Sequence, residues 1–313
     1  MLSVFLTVLP VFLIMGAGYI SGRVGYISLG VADGLNTYAI KVAIPVLLFF
    51  GMFQLDLGKA LIIPMLVSFY AGAFLCFTIA IILSRKLWNR RPGESVSVGF
   101  SATFSNTVLM GIPVAILAFG SEINNFIFGI IALHASLIYI VGILTMEFAR
   151  QGGQSFGTTI RTALKAIFSN SLMIGILCGL AANLLALELP DTLHSALEMV
   201  KVTGIPAALF GIGISLNKYS ITEGFSEAVM VSLLAVIVHP LITLSLALPV
   251  FNLSGMPLYA AVVLACMPPG MNIYIFASMY NRAIGLSASV LIIANLLAIF
   301  TIPFWLLILR SIG

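Results

Sequence analysis

The sequence predicts an all-α membrane protein: ten transmembrane helices arranged as a five-plus-five inverted repeat. Three observations carry that expectation. Hydrophobic residues make up 61% of the 313-residue chain and charged residues 8%, where a soluble domain is about 45–50% apolar and about 25% charged. Apolar runs of roughly 20 residues, the length that spans a bilayer, recur along the whole chain. Landmarks of the first half return in the second at a nearly constant offset. A water-soluble globule exposes too much surface to hide so many apolar side chains. An ordinary soluble enzyme, a disordered chain and a nucleic-acid-binding domain are therefore excluded.

The runs, in order, cover residues 2–21, 35–53, 60–83, 96–119, 125–146, 170–187, 193–216, 227–250, 257–280 and 286–309. No basic residue precedes the first run, so it reads as a span rather than a cleaved signal peptide. Ten of the fourteen Lys and Arg residues fall in connections that follow odd-numbered runs. The densest cluster is Arg85, Lys86, Arg90 and Arg91. The positive-inside rule puts those connections in the cytoplasm of a cell (inner or plasma) membrane, with both termini outside the cytoplasm. The net charge of +4 thus records topology, not a nucleic-acid patch. Cys76, Cys178 and Cys266 each sit within an apolar run. They lack the spacing of a metal site or a disulfide framework and read as packing residues.

Residues 149–169 form the longest polar stretch and contain Gln151-Gly-Gly-Gln-Ser-Phe-Gly. They are expected to be a flexible cytoplasmic linker between a first repeat, 1–148, and a second, 170–313. Lys41-Val-Ala-Ile-Pro45 returns as Lys201-Val-Thr-Gly-Ile-Pro206, with 161 residues from proline to proline. The polar interruption Ser105-Asn106-Thr107 in the fourth run is matched in the ninth by Pro268-Pro269-Gly270, 163 residues later. Five spans are an odd number, so the second copy enters from the opposite face, as in many secondary transporters.

The prolines of these landmarks are expected to interrupt helices. Pro45, Pro113 and Pro206 each lack a backbone donor and clash with the carbonyl four residues earlier. Gly111 eases unwinding, and two successive prolines followed by Gly270 cannot sit in an undisturbed helix. Freed backbone groups are costly in lipid, so such breaks are buried in protein or line a wet cavity. A broken helix presents N–H groups and a positive dipole end to an anion, and carbonyls to a cation or proton-bearing group. The candidate substrate-binding residues at the breaks are Ser105, Asn106, Thr107, Pro268, Pro269, Gly270, Met271 and Asn272.

Ser105-Asn-Thr-Val-Leu-Met-Gly-Ile-Pro113, Ala43-Ile-Pro-Val-Leu-Leu-Phe49 and Met267-Pro-Pro-Gly-Met-Asn-Ile-Tyr-Ile-Phe-Ala-Ser-Met-Tyr-Asn281 resemble the fourth-, second- and ninth-span motifs of the auxin efflux carrier family. His239-Pro240 is similar to bacterial members. The resemblance runs the length of the chain. It implies a homodimer with a scaffold of spans one, two, six and seven. It also implies a moving transport domain of spans three to five and eight to ten, in which the broken helices cross. It implies organic-anion substrates, auxin in plants and often malate or malonate in bacteria. Carried over by position, Asn106 would contact the substrate carboxylate, Ile44 would line the pocket from the scaffold, and His134 and Tyr139 would lie near the substrate. Ser105 stands where the family has a proline, which predicts a softer break in span four. Pro269 replaces a Gln and Met279 an acidic residue. The third span lacks the family's Asp, which speaks against a proton or cation role for an acid there.

His134 is the deepest ionisable group in the runs. It is a candidate to titrate near neutral pH and couple transport to protons, or a neutral imidazole hydrogen-bonded across helices. His239 reads as structural. Lys41 and Lys201 occupy matching repeat positions, either snorkelling to the interface or attracting an anion. The function expected is secondary transport of a small carboxylate such as malate, malonate or an auxin-like acid, by an elevator-type mechanism. A proton or sodium ion is the candidate coupling ion. The alternative is a passive channel, which would need polar rings along a pore. No paired acids, metal-ligand cluster or activated nucleophile is evident, so neither enzyme chemistry, a cofactor nor a metal is expected.

Overall fold

The computed structural model describes residues 2–149, 157, 161, 168, 170–218, 221 and 224–312. The expected linker over 149–169 falls largely outside these residues. In lipid a span must satisfy its backbone internally, and these apolar runs do so as helices. Among the described residues the one bridge between extended segments joins Ser105 to Pro269.

The first half begins with α1 (Leu2–Arg23). The second span is composite: α2 (Leu29–Tyr38), a wide π-helical turn (Ala39–Ala43) and α3 (Ile44–Phe53). The short α4 (Leu57–Ala60) leads to α5 (Ile63–Leu87). The fourth run divides into α6 (Pro92–Thr103), a non-helical link, a π-helical turn (Thr107–Gly111) and α7 (Ile112–Phe119). α8 (Asn124–Ala149) completes the half. The second half holds α9 (Ser171–Leu184), α10 (Asp191–Ser215) and a span made of α11 (Phe225–Leu233), a π-helical turn (Leu234–Val238) and α12 (His239–Ala247). It ends with α13 (Gly255–Ala265), α14 (Asn272–Tyr280) and α15 (Ile284–Ile312).

Among the described residues seven helices are long and apolar enough to cross a membrane; Thr107–Phe119, Ser171–Leu184 and Gly255–Ala265 are shorter apolar helices. The fourth and ninth runs are short because each is interrupted near its middle. The sixth stops early because Ala186 turns to a positive φ of 48°.

The prolines behave in two ways. Pro45, Pro113 and Pro240 each occupy the second position of a helix that follows a π-helical turn. Each ring crowds the carbonyl four residues earlier, which in every case lies inside the wide turn. The turn relieves the clash by bonding one residue further back: Ile44 N–H to Ala39, His239 N–H to Leu234 and Gly111 N–H to Asn106. Pro45 and Pro113 therefore widen their helices without cutting them. Gly111 is needed in its turn for space, since a Cβ there would lie 2.5 Å from Leu264 Cδ2. The break expected at Pro206 is absent, as α10 runs unbroken through it. One missing N–H is tolerated where the rest of a 25-residue helix is held by packing.

α10 packs along α1, and α9 along α3. The approach is close enough that a Cβ on Gly213 would lie 2.0 Å from the Met15 carbonyl, and one on Gly175 2.3 Å from that of Pro45; glycine at helix contacts permits this. Asn183 Nδ2 reaches the carbonyls of Met52, Phe53 and Leu55 at 2.8–3.0 Å, satisfying the end of α3. Elsewhere α5 packs on α6 and α12, α11 on α15, and α13 on α5, α8 and α12. Glu227 is fully buried on α11 and holds Arg90 at 2.9 Å, tying the α5–α6 connection to that helix.

Candidate functional site

The link after α6 and the link before α14 are backbone segments freed from their helices, and they pair with each other. Asn106 N–H donates to the Pro268 carbonyl at 2.9 Å, beside the Ser105–Pro269 bridge. Ser105 in place of a proline does not soften the break. The helix stops at Thr103, and its neighbours hold Ser105 in the extended form. Asn106 then restarts the chain: its Oδ1 accepts from Leu109 N–H at 3.2 Å, and its carbonyl from Gly111 N–H at 3.0 Å. Gly270 makes room for it, because a Cβ there would lie 3.2 Å from Asn106 Cγ.

Two histidines converge on Ser105. His134 Nε2 donates to its carbonyl at 3.1 Å, and His239 Nδ1 lies 3.5 Å from its hydroxyl. His239 Nε2 donates to the Phe69 carbonyl at 3.1 Å. A carbonyl only accepts, so each ring carries its proton on Nε2. His134 is thus bonded across helices, edge-on to Phe69 and Phe104 and stacked on Tyr70. Its Nδ1 has no partner among the described residues.

A cavity of about 350 Å³ opens beside the crossing. Its walls come from the second span, both breaks, α8, the start of α9 and α14. Ser105, Asn106, Thr107, His134, Tyr139, Gly270, Met271 and Asn272 all line it. Pro268 and Pro269 do not. Pro268 supplies the paired carbonyl, and Pro269 faces a small void of about 20 Å³ with Ser215 and Asn295. Ile44 does not line the cavity either. It is fully buried, with Gly204 of α10 close against it, whereas Ile40 and Leu48, about one turn to either side, line the wall. Lys41 and Lys201 are also away from it; Lys201 pairs with Glu198 at 2.6 Å and sits over the Phe50 ring.

Sequence reasoning missed the link from Tyr139 to Asn272, whose Oδ1 accepts from the tyrosine hydroxyl at 3.1 Å. It also missed Asn170 and Ser171 on the wall; Ser171 Oγ donates to the Ile40 carbonyl at 3.0 Å. An N-cap asparagine at the start of a run was the available signal for Asn170. Among the described residues no Asp, Glu, Lys or Arg lines the cavity. The segments beginning at Thr107 and Asn272 both start on its wall. A helix start carries a partial positive charge, so the two together favour an anion.

A family model described as "Membrane transport protein" matches residues 3–306. The chain belongs to this family, that of the auxin efflux carriers. It is a multi-pass membrane protein of a transporter family. It is 26% identical over 97% of its length to an "Uncharacterized transporter" of Methanothermobacter thermautotrophicus, also 97% covered. It is 22% identical to a "Putative malonate transporter" of Rhizobium meliloti, across 97% of this chain and 95% of that one. An "Uncharacterized transporter" of Methanocaldococcus jannaschii is 21% identical, over 95% and 96%.

Proposed function

We propose that the protein is a secondary transporter that carries a small organic anion, a carboxylate, through the membrane. The observation that carries this reading is the cavity at the crossing, where two helix starts and two carboxamides, Asn106 and Asn272, face one space. The malonate named for the Rhizobium meliloti relative makes dicarboxylates the first compounds to try. The crossing halves would place the substrate near the midplane of a ten-span inverted repeat, with both termini outside the cytoplasm.

The mechanism is elevator-like. Spans one, two, six and seven, paired as α1 with α10 and α3 with α9, form the scaffold of a homodimer. Spans three to five and eight to ten move against it with both breaks aboard. The cavity lies between these groups, with Ile40, Leu48 and Ile176 on one side and the breaks and α8 on the other, which suits a site that changes access as one group slides.

Purified protein in liposomes should take up labelled malonate saturably and show counterflow. Asn106→Ala should abolish that uptake with expression and oligomeric state intact. Flux linear in concentration would mean a passive pore, and unchanged kinetics in the variant would refute the site. Imposing a proton or a sodium gradient in turn identifies the coupling ion.

A further inference from the structure

We propose that the carried species bears one negative charge, so that a dicarboxylate enters half-protonated and brings its own proton. This rests on the carboxylate-transport reading above. The carboxamide donors on the cavity wall are few. Asn106 Oδ1 is engaged by Leu109 N–H, and Asn272 Oδ1 by the Tyr139 hydroxyl. A carboxamide whose oxygen is engaged offers a ligand its NH₂ group. These two groups, beside two helix starts, hold one carboxylate, and Asn170, whose Oδ1 is engaged by Leu172 N–H, offers the other end an uncharged donor.

The rest of the wall is mostly apolar, with Ile40, Leu48, Ile131, Ile176, Ile275 and Met279, and its polar members Thr107, Asn170 and Ser171 are uncharged. Among the described residues no Lys or Arg lines the cavity to receive a second charge. A second carboxylate against that wall would lose its hydration without a counter-ion, whereas a protonated carboxyl is uncharged and far cheaper to bury.

The groups that could hold the proton instead are committed to the protein. The titratable groups facing His134 are Tyr70 from α5, His239 from α12 and Tyr139 from its own helix. Tyr70 donates to the Ile130 carbonyl at 2.8 Å, His239 Nε2 to that of Phe69, and Tyr139 to Asn272. His134 already donates its Nε2 proton to the Ser105 carbonyl, and among the described residues its Nδ1 has no acceptor that would hold a second proton there. The proton therefore travels on the substrate, picked up in solution before binding.

The test uses the full chain in liposomes and two labelled probes, malonate and monomethyl malonate. The monoester is isosteric at one end and carries one charge throughout the range between about pH 6 and about pH 8. Its apparent KM should be flat across that range. The apparent KM for malonate should rise about tenfold per pH unit, in step with loss of the half-protonated form. His134→Gln, which keeps a donor for the Ser105 carbonyl, should leave that slope in place whatever it does to the rate. A pH-independent malonate KM, a monoester that is not carried, or a slope that flattens in His134→Gln overturns the proposal. Uptake of neither probe removes the carboxylate reading itself, which separates the two failures.

Discussion

The two interrupted helices meet at one point but bring different things to it. The first break brings side chains. Ser105 contacts two histidines, Asn106 caps the restarted helix and aims a carboxamide at the cavity, and Thr107 lines the wall. The second break brings backbone shape. Pro268 offers a carbonyl, Pro269 forms the bridge, and Gly270 leaves the space that Asn106 fills. The two links have thus taken unlike tasks: residues 105–107 supply side-chain contacts, and residues 268–270 supply their mould, with the Asn272 carboxamide following at the start of α14.

Substitutions can break that contrast or sharpen it. Asn106→Ala should have the largest effect. It removes a charge-assisted hydrogen bond of about 1.5–3 kcal/mol and a cap of about 1 kcal/mol, so uptake should fall about 100-fold or more. Gly270→Ala damages the mould and leaves every polar side chain in place. Its Cβ would press on Asn106 Cγ from 3.2 Å, an overpacking of about 1–3 kcal/mol, so uptake should drop roughly tenfold or more. Full activity in that variant would show that the second strand does not shape the first. Tyr139→Phe releases the Asn272 carboxamide, worth about 1 kcal/mol; KM measured with monomethyl malonate should rise about fivefold with little change in maximal rate. Ser105→Ala should do least, below about twofold in uptake, because its hydroxyl contact at 3.5 Å is at the limit of a hydrogen bond. The backbone carbonyl bonded to His134 survives that change. A large loss there would mean that the hydroxyl, not the carbonyl, joins the histidines.

The breaks were legible because Pro-Pro-Gly and Ser-Asn-Thr conflict with local helix physics, which a sequence states outright. Asn106 and His134 stood out for a similar reason, as polar groups in apolar runs. What sequence could not show is contact at a distance. Tyr139 and Asn272 are 133 residues apart, and Ser105 and His239 are 134 apart; no local period reports such pairs. Ile44 was placed on the cavity by position in a motif, yet Gly204 of another helix lies against it while Ile40 and Leu48 reach the space. Pro206 looked equivalent to Pro45. The two differ because α10 remains α-helical through its proline while the second span widens ahead of its own.

The wide turns ahead of Pro45, Pro113 and Pro240 have a consequence for how these helices tolerate change in length. Each spaces a hydrogen bond one residue further than an ordinary turn, so it takes up one extra residue, worth about 100° on a helical wheel, without rotating the stretch downstream. The two stretches of such a span therefore keep one face in space although the sequence period slips by one residue between them. Deleting any one residue from 234–238 would let that turn tighten into the regular spiral and leave His239 facing Ser105.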